Sequence, residues 1–152
     1  LTHYSIDKPP IDTSGGLTLI NMVVDIERIG DYCKNISDLT LMREGPMNFG
    51  ELSNEIKSIE EEVESRFTKT IKAIQDQDET LADELLNSYK KMITKVSDNI
   101  VKNIASGKIK FDDSSQGASI ALYARYLKRI GAHLKNITST IVNPYDKIGY
   151  NQ

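Results

Sequence analysis

Tryptophan is absent from this chain, cysteine occurs once, and proline only four times in 152 residues. A lone thiol, Cys33, permits no internal disulfide, so nothing implies an oxidising compartment and the cytoplasm is the expected location. The prolines stand at Pro9, Pro10, Pro46 and Pro144, leaving the long stretches on either side of Pro46 without a helix breaker of that kind. Apolar runs are short as well: none approaches the roughly 20 residues of a membrane span, and the first residues do not form a signal peptide. A net charge of −3, with Lys and Arg dispersed among acids, supplies no basic field for a phosphate backbone, which excludes nucleic acid as the expected partner. Glycine-rich phosphate loops, nucleophile elbows and zinc-ligand spacings are also lacking. So is the repeated Glu-x-x-His of di-iron bundles.

What the chain does contain is a copy of itself. Glu27-Arg28-Ile29-Gly30-Asp31-Tyr32-Cys33-Lys34-Asn35-Ile36 returns as Lys128-Arg129-Ile130-Gly131-Ala132-His133-Leu134-Lys135-Asn136-Ile137, with six of ten positions identical at an offset of 101. Internal repetition decides architecture before any single residue does. The first copy carries two carboxylates four residues apart, Glu27 and Asp31; the second has Lys128 and Ala132 in their places.

Four helices are expected. The first runs from about residue 17 to 42, capped by Thr13 or Ser14. Gly45, Pro46 and Gly50 then mark a loop. The second covers about 51 to 76 with an apolar stripe of Leu52, Ile56, Ile59, Val63, Phe67, Ile71 and Ile74. The third covers about 79 to 105 with Leu81, Leu85, Tyr89, Met92, Val96, Ile100 and Ile104. It ends at Ser106-Gly107, a loop spans 108 to 117, and the fourth runs from about 119 to 142, stopping before Pro144. Such helices are about 35 to 40 Å long at 1.5 Å per residue, and short connections make neighbours antiparallel. The fold class is therefore all-α, an elongated antiparallel helical bundle within a single domain, 1–152. Glu60, Glu61, Glu62 and Glu64 on the second helix and Lys90, Lys91, Lys95 and Lys102 on the third read as solvated faces that also favour docking of the two.

In the first copy Met22, Ile26, Ile29, Cys33 and Ile36 step by fours and threes, and the offset carries them onto Tyr123, Leu127, Ile130, Leu134 and Ile137. One buried seam is expected in both, with Cys33 a small buried hydrophobe. A helical glycine costs about 1 kcal/mol relative to alanine, so Gly30 and Gly131 both suggest a close helix approach. Glu27 and Asp31 fall outside that core. Ile20, Val23 and Val24 point away from the seam and call for a cover, from another chain through homodimerisation or from upstream helices.

The segments 25–31 and 126–137 resemble the two signature helices of the PhoU family. That resemblance implies a fold of two fused three-helix bundles and a non-enzymatic role in phosphate uptake and the phosphate-starvation response. It makes residues 17–44 the last helix of repeat one and 51–142 the whole of repeat two. The opening residue, Leu1 rather than Met, then suggests a piece of a longer protein lacking the first two helices of repeat one. In the family the Glu-x-x-x-Asp pair contributes to surface metal clusters, which implies a divalent or iron- or zinc-type metal at Glu27 and Asp31. Two ligands fall short of the about six that oxygen-bound cations take, and the second copy, with Lys128 and Ala132, is expected to have lost any metal. His133 matches a histidine that the signature often carries, read as packed or hydrogen-bonded; His3 has no assigned role. The partner implied is a membrane phosphate transporter in the same or a separate chain, and the protein is expected at the inner face of the plasma membrane. The first reading is the cytoplasmic domain of a sodium/phosphate cotransporter. The alternatives are a free-standing PhoU-type regulator of an ATP-driven phosphate importer and sensor kinase, or a purely structural helical adaptor. A metal-dependent hydrolase lacks a general base or nucleophile beside Glu27 and Asp31.

Overall fold

The computed structural model describes residues 13–142; His3, the turn-rich opening and the stop at Pro144 lie outside the described residues. Among the described residues there are helices and no strands. Helix α1 spans Thr13–Met42. A 3₁₀ turn at Gly50–Leu52 leads into α2, Ser53–Asp76. Helix α3 comprises Glu79–Tyr89, a π-helical turn at Lys90–Thr94, and Lys95–Ala105. Helix α4 spans Ser114–Val142.

Turn chemistry fixes the connections. Gln77 takes a left-handed conformation at φ 51, and Asp78 caps α3 by accepting from the Leu81 amide at 3.0 Å, so α2 and α3 double back within two residues. Gly107, at φ 70, ends α3 with its amide on the Ile104 carbonyl. The side chain of Asp113 opens α4, accepting from the Ser115 amide at 2.9 Å and from the Ser115 hydroxyl, and these two bonds hold its carboxyl below the ordinary value.

Both expected starts move earlier. Thr13 and Ser14 are helical residues rather than caps, and the Thr18 hydroxyl bonds back to the Ser14 carbonyl at 3.0 Å inside the helix. Helix α4 begins at Ser114 instead of 119 because Gly117 is not a turn glycine. A Cβ there would lie 2.9 Å from the Phe111 ring and 3.4 Å from Ile104, so the bare position admits those side chains.

Helices α2, α3 and α4 enclose a core in three zones: Leu52, Ile56, Ile100, Ile120 and Ala124 at one end, Ile59, Val63, Tyr89, Ile93, Leu127, Ile130, Leu134 and Ile137 in the middle, and Ala73, Ala82 and Ile141 at the other. Two expected stripes rotate along the way. In α2 the buried positions after Val63 are Arg66, Thr70 and Ala73, while Ile71 is exposed. Arg66 satisfies itself on Glu62, the Leu85 carbonyl and Ser88, and the Thr70 and Thr138 hydroxyls meet at 3.1 Å. In α3, Ile93 and Ser97 are buried and Met92 and Val96 half-buried. Tyr89, Ile93 and Ser97 follow one another in steps of four, which overshoot a 3.6-residue turn. The π turn, closed by the Lys95 amide on the Lys90 carbonyl, is a wider turn that takes up the excess.

Helix α1 lies along α4 outside this three-helix core, and only Ile29 of α1 joins the central zone as a buried residue. Here the expected seam divides. Ile29 is buried and Met22 and Ile36 half-buried, but Ile26 is 56% exposed and Cys33 is exposed, whereas Leu127 and Leu134 are buried. The five positions belong to two adjoining faces. Residues 22, 29 and 36 meet the other copy's helix; residues 26 and 33 face where α2 and α3 would stand if α1 had them. The close approach expected at both glycines follows the same division. A Cβ on Gly131 would fall 2.7 Å from Ile93 Cδ1, whereas one on Gly30 would meet nothing within 4 Å. The acidic run of α2 and the lysines of α3 form no ion pair with each other among the described residues; Glu61 and Glu62 pair within α2, with Lys57 and Arg66.

Candidate functional site

The two signature helices cross antiparallel, as the contacts Asp25 to His133, Tyr32 to Tyr126 and Arg43 to Ser119 establish. Repeat-equivalent residues Ile29 and Ile130 lie midway along these pairings, so the crossing is centred on matching points of the two copies.

A polar and aromatic lock surrounds that centre. Asp25 Oδ1 bonds His133 Nδ1 at 2.8 Å and accepts from Asn136 Nδ2 at 3.1 Å. Both Asp25 and His133 are largely buried, with side chains 15% and 12% exposed. The Tyr32 ring stacks on His133 with centroids 5.9 Å apart and packs against Tyr126 at 6.1 Å. Arg129 donates to the Tyr32 hydroxyl at 3.1 Å and lies over its ring. Four of these residues, Arg129, His133, Asn136 and Tyr32, come from the repeated decapeptides, and the spacing explains why. Asp25, Ile29, Tyr32 and Ile36 line one face of α1. Sequence reasoning placed His133 as a hydrogen-bonded residue, and it is one. It gave no role to Asp25 or Tyr32, although their positions four before and three after Ile29 put them on that face.

Glu27 and Asp31 sit on the opposite, solvent side of α1. Both are exposed, and Asp31 lies 3.6 Å from Arg28. Among the described residues no group of three or more His, Cys, Asp or Glu converges as a metal site. These two carboxylates by themselves do not fill a coordination shell. At the equivalent place on α4, the Lys128 ammonium pairs with Asp98 of α3 at 2.5 Å. The second copy thus ties its signature helix to α3 by an ion pair where the first carries a free acid.

Away from this lock, Tyr123 donates to Glu60 across α2 and α4. Burial, then that bond and the carboxylate charge, push its phenol above the ordinary range.

A model of the PhoU domain matches residues 56–141, more than half of the chain. The chain belongs to the PhoU domain family. The matched segment is α2 through α4, the three-helix core, and ends on the second signature helix. No curated protein and no solved structure gave a match. The PhoU domain points to a regulatory role in phosphate homeostasis, and the all-α bundle of the described residues agrees with it. No helix among the described residues is long and apolar enough to cross a membrane.

Proposed function

We propose that this PhoU domain controls phosphate uptake without catalysing a reaction, as the cytoplasmic domain of a sodium/phosphate cotransporter at the inner face of the plasma membrane. The observation that carries the reading is the PhoU match over the three-helix core, supported by the first signature helix, α1, locked to the second, α4. A helical module of this kind biases a transporter only through ligands or partners that favour one transport state over another. The long exposed faces of α1 and α3 suit such binding.

Deletion of residues 13–142 from the encoding gene, followed by phosphate-uptake measurements in phosphate-rich and phosphate-starved cells, tests the role. Loss of the difference between the two conditions is expected; unchanged control would assign the chain to a structural adaptor. The open reading frame discriminates within the family, since several membrane spans in the same frame mark a cotransporter. A free-standing regulator of an ATP-driven importer and its sensor kinase would have none.

A divalent cation, iron or zinc held by Glu27 and Asp31 belongs to this reading only with further donors from outside the described residues. Metal analysis of the purified protein and of its Glu27→Ala, Asp31→Ala variant is the check. Equal metal content in the two removes the metal from the proposal.

A further inference from the structure

The overall charge of −3 conceals a segregation. Residues 13–84 carry 16 acidic and 7 basic side chains, a net −9, whereas residues 85–142 carry 3 acidic and 10 basic ones, a net +7. Lys and Arg are thus dispersed among acids only in the chain as a whole. Helix α3 is where the basic half reaches the surface. Its buried positions run Leu85, Tyr89, Ile93, Ser97 and Ile100. Lys91 and Lys95 each stand midway between two of them and Lys102 two beyond the last, so the three form a stripe opposite the core, about 16 Å long at 1.5 Å per residue. Lys90, Lys108 and Lys110 extend it, and all six are exposed. The carboxylates beside the stripe are engaged elsewhere. Asp98, the one acid between residues 85 and 111, is held by Lys128 of α4 at 2.5 Å, and Glu61 and Glu62, across the groove beside Met92, pair with Lys57 and Arg66. Among the described residues Lys90, Lys91, Lys95 and Lys102 form no ion pair. Toward the start of α3 the surface turns acidic at Asp83 and Glu84, which gives the stripe a defined end.

The chemistry of the stripe selects a kind of partner. Helix α3 has no arginine, so the planar fork that reads carboxylate or phosphate bidentately is missing, and its ammonium groups act as point charges that answer to a field rather than to one ligand geometry. Among the described residues α3 exposes no large hydrophobic side chain, which leaves no anchor for a protein pocket or for insertion among lipid tails. Helix α1 meets α4 through Tyr126 and His133, while α3 meets it at Lys128 and Gly131, so the stripe points away from α1 and from whatever covers the exposed edge of α1. An outermost helix of this kind fits a plane of fixed negative charge, which is what a cytoplasmic leaflet presents to nearby lysines. We infer that the lysine face of α3 docks the domain on an anionic phospholipid bilayer, with the acidic half turned to water. This deepens the reading above and rests on its placement of the domain at the inner face of the membrane.

Flotation of the 152-residue chain with phosphatidylcholine vesicles containing phosphatidylglycerol is the test. The chain should rise with them at about 0.1 M salt, release at about 0.5 M, and ignore pure phosphatidylcholine. A lysine close to an anionic leaflet is worth about fivefold in partitioning, so Lys91→Glu with Lys95→Glu should lower binding at least about twentyfold. Lys69→Glu with Lys72→Glu makes the same change of net charge on exposed positions of α2 and should leave binding within about threefold. Circular dichroism checks that both variants keep their helices; should the α3 pair lose them, Lys91→Gln with Lys95→Gln carries the same test. A wild-type chain that ignores the anionic vesicles overturns the inference and leaves the stripe to an acidic protein partner. Equal loss in the α2 control overturns it too, because net charge and not the stripe would then govern, and so does binding indifferent to the α3 changes. Vesicle binding is read without phosphate or transport. A chain that binds vesicles but fails the uptake test strikes the transporter reading alone, and one that controls uptake yet ignores vesicles strikes only this inference.

Discussion

Asp25 and His133 lie 108 residues apart and join at 2.8 Å between Oδ1 and Nδ1, bonding one signature helix to the other. Asp25 also holds Asn136, and Tyr32 covers His133, so this single carboxylate organises most of the polar contact between α1 and α4.

Its removal should loosen α1 selectively. Asp25→Ala orphans His133 Nδ1, a largely buried polar group whose lost partner costs about 1–3 kcal/mol, while the exposed Asn136 amide turns to water. Hydrogen exchange should show α1 amides losing protection while α2 and α3 keep theirs, because the three-helix core does not depend on this bond. Uniform loss along the chain would contradict it.

The paired glycines should respond in opposite senses. Gly131→Ala drives a methyl to 2.7 Å from Ile93 Cδ1, and overpacking of this kind costs about 1–3 kcal/mol. Gly30→Ala meets nothing within 4 Å and should raise stability by up to about 1 kcal/mol through helix propensity. Ile93→Val deletes the clashing atom, so the Gly131→Ala, Ile93→Val double variant should lose less than the sum of its singles in urea denaturation.

That contrast also marks where sequence pattern stops informing. The repeat, the all-α class and the bounds of α2 and α3 follow from periodicity and turn residues. What periodicity could not resolve is which of two adjoining apolar faces has a neighbour. Ile26 and Leu127 are equivalent in pattern, yet one has α2 and α3 beside it and the other does not. Arg66 was invisible for a different reason: an arginine within an acidic amphipathic helix reads as solvated, and only Glu62, four residues earlier, hinted at a partner. The π turn leaves a trace in hindsight, three consecutive steps of four at Leu85-Tyr89-Ile93-Ser97, because a straight helix cannot keep all of them on one face. Asp25 and Tyr32 were legible in position but not in role, since their partners lie on α4 at more than 90 residues' separation.

Arg66 should prove indispensable in shape as well as charge. Its three nitrogens serve three partners: Nε donates to Glu62 at 2.8 Å, Nη1 to the Leu85 carbonyl at 2.6 Å and Nη2 to the Ser88 hydroxyl at 2.7 Å, with the side chain 4% exposed. A lysine ammonium cannot reproduce that fork. Arg66→Lys is expected to lower the melting temperature clearly, and Arg66→Ala to cost about 3–5 kcal/mol, the range for breaking a buried pair. Arg66→Met keeps the apolar stem but leaves Glu62 and the Leu85 carbonyl without a donor, so it should cost more than Arg66→Lys and less than Arg66→Ala. An unchanged melting temperature in Arg66→Lys would show that the guanidinium geometry is not needed.

Alkaline pH supplies a separate handle through Tyr123. Burial and the Glu60 carboxylate raise its phenol in the folded state above the ordinary value of 10.0. A tyrosine of the unfolded chain ionises near that value, so beyond it the unfolded state sheds a proton that the folded state retains. The stability associated with the neutral phenol is complete below about pH 10 and declines as pH rises further. Phenolate absorbance of the native protein should show a late-titrating component that is lost in Tyr123→Phe. Urea midpoints of wild type should fall between about pH 9 and about pH 11 by more than those of Tyr123→Phe. The variant should begin lower at about pH 9, having lost the bond to Glu60, which is worth about 1–2 kcal/mol. Equal slopes in the two proteins would mean that the Tyr123 hydroxyl is not held between α2 and α4.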